Sequence, residues 1–284
     1  MQVDDAGLSF ECLLTRMEGS TLVLTFNRPE ARNSINWTME RELWMALAAA
    51  QRLDEVRAVV LTGAGEMFSA GHDLKQVARE ARDGGPQVDG EWWARQTTML
   101  PSWNFTKPLI AAVHGFVGPF ANGILLTADF VIATRGTRFS FEHARTGVGR
   151  PWGPYALMYF MFPPRVVYKL WALGGWMDAD QAEALHYVQR VVERDELDSV
   201  AMHWAEQCSL IDSEGFAHTK QGMHEMYEAM GLLDMVEIGR QPMVPPSAEA
   251  VQRSIEFNKT WKHQGAKAAL ALRDAGVDPD FSQV

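Results

Sequence analysis

The apolar positions of the chain change period along its first half, and each change predicts a structural element. Apolar runs flank Glu18-Gly19-Ser20, which predicts a β-hairpin of residues 10–16 and 21–26. After Asn36, a candidate N-cap, apolar residues return at helical spacing as far as Leu53. Strand, helix and strand in succession predict a parallel pair joined by a right-handed crossover. Further apolar runs predict a helix near 120–127 and strands at 58–62, 109–113, 129–133 and 138–141.

The second half of the chain has the spacing of helices. One strand-like piece lies beyond residue 145, at 188–192. Residues 76–90 are polar and predict a short helix followed by a loop, whereas 91–104, which holds Trp92, Trp93 and Trp103, is predicted to be helical. Strands followed by helices predict an α/β protein with a helical C-terminal region. Helices are expected at 155–173, 179–187, 195–211, 215–231, 247–263 and 264–274.

Composition narrows the class of protein. The 284 residues are 47% hydrophobic, which suffices for one large domain or two. A net charge of −10 and the lack of a long basic run exclude a nucleic-acid binder. Cys12 and Cys208 lie far apart without metal-ligand spacing, so we expect free thiols. The sequence has no signal-peptide pattern and no apolar stretch near the roughly 20 residues that span a bilayer. We therefore expect a cytoplasmic protein with no membrane partner.

The segment richest in chemical information is Glu66–Lys75, which follows the predicted strand 58–62. Its Ser-Ala-Gly turn exposes backbone N–H groups near a helix start, where they can stabilise a developing negative oxygen. A second apolar strand with a Gly- and Pro-rich exit spans Leu109–Asn122. Two such strand ends can direct two N–H donors at one oxyanion. This indicates chemistry on a carbonyl, and a thioester is the natural candidate.

Three segments of the chain together resemble the crotonase superfamily, the enoyl-CoA hydratase/isomerase family, and they occur in that family's order. The first segment is Thr25–Ser34, which contains the sequence Asn-Arg-Pro. The second is Phe68–Leu74, and the third is Ile110–Val117 followed by Ala128–Ala133. The resemblance implies a crotonase-like spiral of ββα units at 1–195 that binds acyl-CoA. It also implies a C-terminal helical region at 196–284 for oligomerisation and active-site cover, and a homotrimer or homohexamer.

The resemblance also implies positions for the oxyanion donors. The first N–H falls on His72, whose side chain is a separate candidate for contact with the acyl carbonyl. Asp73, Leu74 and Lys75 follow on the segment that usually contacts the coenzyme A nucleotide, although Lys75 could equally be a solvated surface lysine. The second N–H falls on Phe120, where the family has a glycine; alternatively, Phe120 is a core aromatic and a neighbour supplies the donor.

The chain departs from the family at the positions of the two catalytic glutamates. Hydratases of the family place and split water with two glutamates, and these positions hold Gly123 and His143. A histidine can transfer a proton near neutral pH, so His143 is either the acid–base group or a structural residue of the pocket. Strand alternation would send Glu142 to the opposite face. Arg145, Trp152 and Tyr155 are further candidates for the pocket rim.

These observations predict an acyl-CoA-processing enzyme, a lyase or isomerase of fatty acid metabolism. It would stabilise a thioester enolate, with isomerisation easier than hydration. The alternatives are hydrolysis or decarboxylation in the same oxyanion hole, or a degenerate protein that only binds acyl-CoA. The sequence has no Gly-x-Ser-x-Gly, His-Glu-x-x-His, Cys-x-x-Cys or P-loop motif, so we expect no metal and no cofactor beyond the coenzyme A of the substrate.

Overall fold

The structure, a computed structural model, covers most of the predicted elements. The expected sites His143, Leu74, Arg145 and Trp152 lie outside the described residues, as do Trp92, Trp93 and most of the predicted helix 247–263. The described residues are 2–3, 9–73, 75–76, 101–142, 153–240, 256–257, 259–260, 263–264 and 266–275.

A six-stranded sheet forms the centre of the described fold, in the order β11 (Arg190–Val192), β8 (Phe130–Thr134), β6 (Leu109–Val113), β5 (Ala58–Gly63), β4 (Thr21–Phe26) and β3 (Leu13–Glu18). The β3–β4 pair is antiparallel, as the hairpin prediction requires, and the other neighbours are parallel. The α/β prediction is thereby confirmed. A separate antiparallel pair joins β1 (Gln2–Val3) to β2 (Ser9–Phe10).

A smaller sheet places β9 (Arg138–Ser140) between β7 (Phe116–Val117) and β10 (Trp176–Asp178). The expectation of no strand beyond residue 145 other than 188–192 is wrong, because β10 pairs antiparallel with β9. Three residues are too few to show a period, so this strand is defined by its partner and not by its own sequence.

The helices agree with the apolar spacing in most places. Asn36 caps the first helix as predicted, since its side chain accepts a hydrogen bond from the Met39 amide. Leu232–Arg240 is a helix that the sequence analysis did not predict. The helices are α1 (Trp37–Arg52), α2 (Pro119–Leu126), α3 (Met158–Met161), α4 (Pro164–Val167), α5 (Ala179–Ala184), α6 (Leu197–Leu210), α7 (Ser213–Ala229), α8 (Leu232–Arg240) and α9 (Ala266–Asp274).

The single helix predicted at 155–173 is wrong. The segment divides into a 3-10 turn at Gly153–Leu157, the short α3 and α4, and a π-helical turn at Tyr168–Ala172. Pro163 and Pro164 explain the break between α3 and α4, because proline lacks the amide hydrogen that continues a helix.

Apolar side chains cover both faces of the large sheet. Leu22 and Leu24 of β4 join the larger core cluster, whereas Val23 between them joins the smaller one, as strand alternation requires. The larger cluster includes the buried face of α1, and the smaller includes Leu197 and Ala201 of α6. In the part of the chain that the structure describes, no helix combines the length and the apolar character needed to cross a membrane.

Two ion pairs hold the C-terminal helices to the strands. The Lys220 ammonium of α7 lies 2.9 Å from a carboxylate oxygen of Asp129, which also accepts a hydrogen bond from the Leu109 amide. The Arg273 guanidinium of α9 lies 3.0 Å from a carboxylate oxygen of Glu142, just beyond β9. Both pairs are mostly buried, so they fix α7 and α9 against the strand region.

Candidate active site

The chain after β5 runs alongside the chain after β6. The Phe68 amide donates to the His114 carbonyl over 2.9 Å, and the Gly118 amide donates to the Ser69 carbonyl over 2.8 Å. A further bridge pairs Ser69 with Val117 in parallel. The two strand ends that the sequence analysis singled out therefore lie side by side.

Gly118 allows this close approach. A Cβ atom at position 118 would lie 2.1 Å from the Ala70 carbonyl oxygen and 2.7 Å from the Gly71 nitrogen, both backbone atoms. No side chain fits there. Gly71 has φ +90, and a Cβ atom at that position would lie 3.3 Å from the Phe120 nitrogen. The first turn of α2 thus contacts the backbone that leads into His72.

The backbone of His72 is oriented by Ile35. The Ile35 amide donates to the Gly71 carbonyl over 2.7 Å, and the Asp73 amide donates to the Ile35 carbonyl over 2.9 Å. In such a parallel bridge the residue between the two bonded groups directs its own amide to the other side of the chain. The His72 amide therefore lies on the side away from Ile35.

The second candidate donor is the Phe120 amide. Gly118 is the N-cap of α2 and Pro119 occupies the first helical position, where a missing N–H costs no helical hydrogen bond. The first intrahelical bond that reaches back to the cap runs from the Asn122 amide to the Gly118 carbonyl. No described residue accepts a hydrogen bond from the Phe120 amide, so it is one of the open donors of a helix N-terminus.

The side chains of these two residues also meet. The imidazole of His72 and the ring of Phe120 stack with centroids 4.0 Å apart. Phe120 is 5% exposed, so its ring fills space at the start of α2 where a glycine would leave an opening.

Asp73 is held inside the protein. Its carboxylate lies 3.1 Å from the Arg28 guanidinium, which also donates to the Ser34 carbonyl. The other carboxylate oxygen accepts the amide hydrogens of Lys75 and Gln76 and so caps the turn that follows. The Asp73 side chain is thus committed to shaping the segment, while Lys75 is exposed. Contacts of this segment with coenzyme A stay a prediction.

Tyr155 occupies the space beside Gly123. A Cβ atom at Gly123 would lie 3.0 Å from the Tyr155 hydroxyl oxygen and 3.3 Å from Pro154. The hydroxyl donates to the Pro119 carbonyl over 2.6 Å. Burial raises the pKa of Tyr155, and a hydrogen bond with the Gly123 backbone partly opposes the shift. Tyr155 is therefore a neutral phenol that fills the space beside Gly123.

A second buried tyrosine supports the same helix. The Tyr187 hydroxyl donates to the Asn122 side-chain oxygen over 2.9 Å. The Asn122 amide group in turn donates to the Ser140 carbonyl over 2.8 Å and to two carbonyls at the start of α2. This network ties α2 to β9. Sequence reasoning missed it, since nothing local connects these residues.

Strand alternation was expected to send the Glu142 side chain to the opposite face, but Glu142 does not lie in a strand. The strand predicted at 138–141 ends at Ser140, so alternation does not orient Glu142, and its carboxylate binds Arg273. His143 lies outside the described residues, and its role as the acid–base group stays a prediction.

Comparison with known proteins identifies the class. A model described as enoyl-CoA hydratase/isomerase matches residues 16–260. The chain therefore belongs to this family of acyl-CoA-processing enzymes, and the resemblance noted in the sequence is confirmed.

Individual relatives agree in fold but differ in reaction. A probable enoyl-CoA hydratase of Rhizobium meliloti is 31% identical over 78% of this chain and 84% of its own. The 1,2-epoxyphenylacetyl-CoA isomerase of Escherichia coli is 30% identical over 75% of this chain and 82% of its own. The crystal structure of an enoyl-CoA hydratase/isomerase from Xanthobacter autotrophicus Py2 has a TM-score of 0.82 and 29% identity, covering 94% of this chain and 98% of the other.

Proposed function

We propose that the protein binds an acyl-CoA thioester with its carbonyl oxygen between the backbone amides of His72 and Phe120. One observation carries the proposal: a Cβ atom at Gly71 would lie 3.3 Å from the Phe120 nitrogen, so the turn before His72 and the first turn of α2 lie close together. Two backbone donors aimed at a thioester oxygen stabilise the enolate that forms when a proton leaves the neighbouring carbon.

The reaction we propose is isomerisation or a related enolate reaction, and not efficient hydration. Hydration in the family uses two glutamates, and the resemblance places one of their positions at Gly123, beside which the neutral Tyr155 fills the space. His143 remains our candidate for proton transfer. A histidine can remove a proton from one carbon and return it to another, which moves a double bond without adding water.

The second candidate function is acyl-CoA binding without turnover. The filled space beside Gly123 favours it, because a buried phenol lies next to the position where the resemblance places a catalytic glutamate. Hydrolysis or decarboxylation would use the same donors and an enolate or tetrahedral intermediate. The two curated relatives named above, a probable hydratase and an isomerase, have names that give different reactions.

A panel of thioesters tests the proposal. Purified protein should be incubated with crotonyl-CoA, longer enoyl-CoAs and malonyl-type thioesters, with products separated by chromatography and binding measured by calorimetry. We expect binding of enoyl-CoAs and double-bond migration in at least one of them. Binding of every compound with no product would support the second candidate, and no binding at all would contradict both.

The role of His143 needs a separate experiment. His143→Ala should lower turnover by roughly 10²–10⁴ with little change in binding, the usual weight of general acid–base catalysis. The control is Glu142→Gln, which removes the neighbouring charge and weakens the contact with Arg273. Loss of turnover in the control alone, with native circular dichroism and unchanged binding, would assign proton transfer to Glu142.

We also propose that the protein assembles into a homotrimer or homohexamer through its C-terminal helices. Several large apolar side chains are exposed on α7, α8 and the end of α6, an unusual density for a solvated face. Light scattering coupled to size-exclusion chromatography tests this, and a monomer at micromolar concentration would contradict it. The residues are Leu210, Met223, Met226, Met230, Leu233 and Ile238.

A further inference from the structure

The Tyr155 hydroxyl donates a hydrogen bond to the peptide group that carries the Phe120 amide, one of the two candidate donors. It lies 2.6 Å from the Pro119 carbonyl oxygen. The Pro119 carbonyl and the Phe120 amide are the two ends of one peptide unit, which resonance keeps planar. A hydrogen bond at the carbonyl therefore fixes the plane in which the Phe120 N–H points.

The same bond strengthens the donor. A peptide whose carbonyl accepts a hydrogen bond becomes more polarised, and its N–H donates more strongly, by roughly 10–30% per bond through hydrogen-bond cooperativity. Tyr155 is 2% exposed, so water does not compete with its hydroxyl for the carbonyl. Its bond to Pro119 is short for an O–H donor.

The absence of a side chain at Gly123 makes this arrangement possible. The Tyr155 hydroxyl lies 3.0 Å from where a Cβ atom of residue 123 would be, so any larger residue would displace it. Tyr155 also packs on Trp171, with ring centroids 5.2 Å apart, which holds the phenol in place. Gly123 thus leaves room for a neutral hydroxyl donor on the carbonyl side of the Pro119–Phe120 peptide.

We propose that Tyr155 is a positioning residue for catalysis, which orients and polarises the Pro119–Phe120 peptide so that the Phe120 amide binds the thioester oxygen. The inference rests on the proposed function, because it assigns Tyr155 to the positioning of the Phe120 amide, one of the two proposed oxyanion donors. It predicts an effect on the electronic state of the bound carbonyl, which a purely structural tyrosine would not produce.

The experiment compares Tyr155→Phe with Tyr187→Phe. Each variant loses one buried phenol hydroxyl bonded to α2, but Tyr187 binds the Asn122 side chain and not the peptide that carries the donor. The probe is cinnamoyl-CoA, a conjugated thioester whose absorption moves to longer wavelength when its carbonyl is polarised. Binding is measured by titration, and the absorption shift is recorded at saturation.

We expect wild-type protein and Tyr187→Phe to give the same red-shift. Tyr155→Phe should bind the probe but lose roughly 10–30% or more of the shift, in line with the share of donor strength that cooperativity supplies. Its turnover of the best thioester in the panel should fall about 10-fold, less than the 10²–10³ lost with a whole oxyanion donor. An equal shift in Tyr155→Phe and wild type, or an equal loss in both variants, would overturn the inference and leave the proposed function intact.

Two further outcomes are distinguishable. If wild-type protein binds cinnamoyl-CoA without any red-shift, the oxyanion hole itself is wrong, and the inference falls with it. If Tyr155→Phe does not fold, 3-fluorotyrosine introduced at position 155 alone keeps the side chain and makes its hydroxyl a stronger donor. The red-shift should then exceed that of wild type, and an unchanged or smaller shift contradicts the role of Tyr155.

Discussion

The rings of His72 and Phe120 stack at an interplanar angle of 31°, although the two residues belong to different segments of the chain. The contact places the two residues of the candidate oxyanion hole side by side. Their amides and their side chains are separable by mutation, because proline removes an amide hydrogen and alanine removes only the ring.

The first prediction uses this separation at position 72. His72→Pro should lower turnover by roughly 10²–10³, the cost of one oxyanion donor. Both hydrogen bonds of the bridge to Ile35 come from the neighbouring residues Gly71 and Asp73, so proline at position 72 removes neither of them. His72→Ala is the control and should retain most activity. If both variants lose equal activity while circular dichroism shows native folds, the imidazole and not the amide is the functional group.

The second prediction concerns the missing carboxylate. Gly123→Glu should not produce a hydratase, because the new side chain would begin 3.0 Å from the Tyr155 hydroxyl. We expect a destabilised protein, with overpacking costs of about 1–3 kcal/mol, and crotonyl-CoA hydration no faster than in wild type. Chemical denaturation and the loss of enoyl absorbance measure the two effects. Rapid hydration by the variant would show that the site accommodates a glutamate after all.

The third prediction contrasts two glycines. Gly118→Ala should destabilise the protein by about 1–3 kcal/mol or more, since its methyl group would meet the Ala70 carbonyl. Gly222→Ala, within α7, has no atom within 4 Å of its new Cβ and should stabilise by about 0.5–1 kcal/mol through helix propensity. Urea denaturation of both variants decides the matter. Equal changes in the same direction would mean that the close approach at Gly118 is not rigid.

The fourth prediction concerns the buried pair of Lys220 and Asp129. Lys220→Met should cost about 3–5 kcal/mol, because it leaves a buried carboxylate without its cation. Burial already raises the pKa of Asp129, and the Lys220 charge opposes that shift. Without lysine the folded state binds a proton more readily than the unfolded state, so the loss should shrink as pH falls. The Lys220→Met/Asp129→Asn double variant should recover part of the stability. A constant penalty from pH 8 to 5 would argue against an ionised Asp129.

The fifth prediction concerns His224, which stacks on Trp103 with ring centroids 3.7 Å apart. Burial, and secondarily the Lys220 charge, lowers the pKa of His224 from 6.5 to about 4. The unfolded chain then binds the proton first, so stability should fall as pH drops from about 6.5 to about 4. His224→Phe keeps a ring on Trp103 but cannot titrate, and should lose this part of the pH dependence. Denaturation midpoints across that pH range compare the two proteins, and parallel curves would contradict the assignment.

The sequence predicted the large sheet well because its strands carry their own signals. The β6 strand, Leu109–Val113, agrees with the predicted bounds, since an unbroken apolar run between turn residues marks a strand buried on both faces. By contrast, β10 is three residues long and exists through its pairing with β9. Its local sequence has no period to read.

The candidate site was predictable only in part for a similar reason. The turns at Gly71 and Gly118 are visible in the sequence as glycines that follow apolar strands, and the family resemblance implies that the oxyanion donors lie just after them. The contact of Tyr155 with Gly123 joins residues that no local pattern relates, and the pairing of Glu142 with Arg273 depends on where α9 packs. Tertiary contacts of this kind are set by the whole fold.

The Glu142–Arg273 pair also has a consequence for the order of folding. The two residues lie 131 positions apart in sequence, so their contact closes a long loop and carries its full entropic cost. The hairpin of β3 and β4 needs no such closure and should form early. The β3–β4 hairpin would therefore form before the Glu142–Arg273 contact that holds α9 against the strand region.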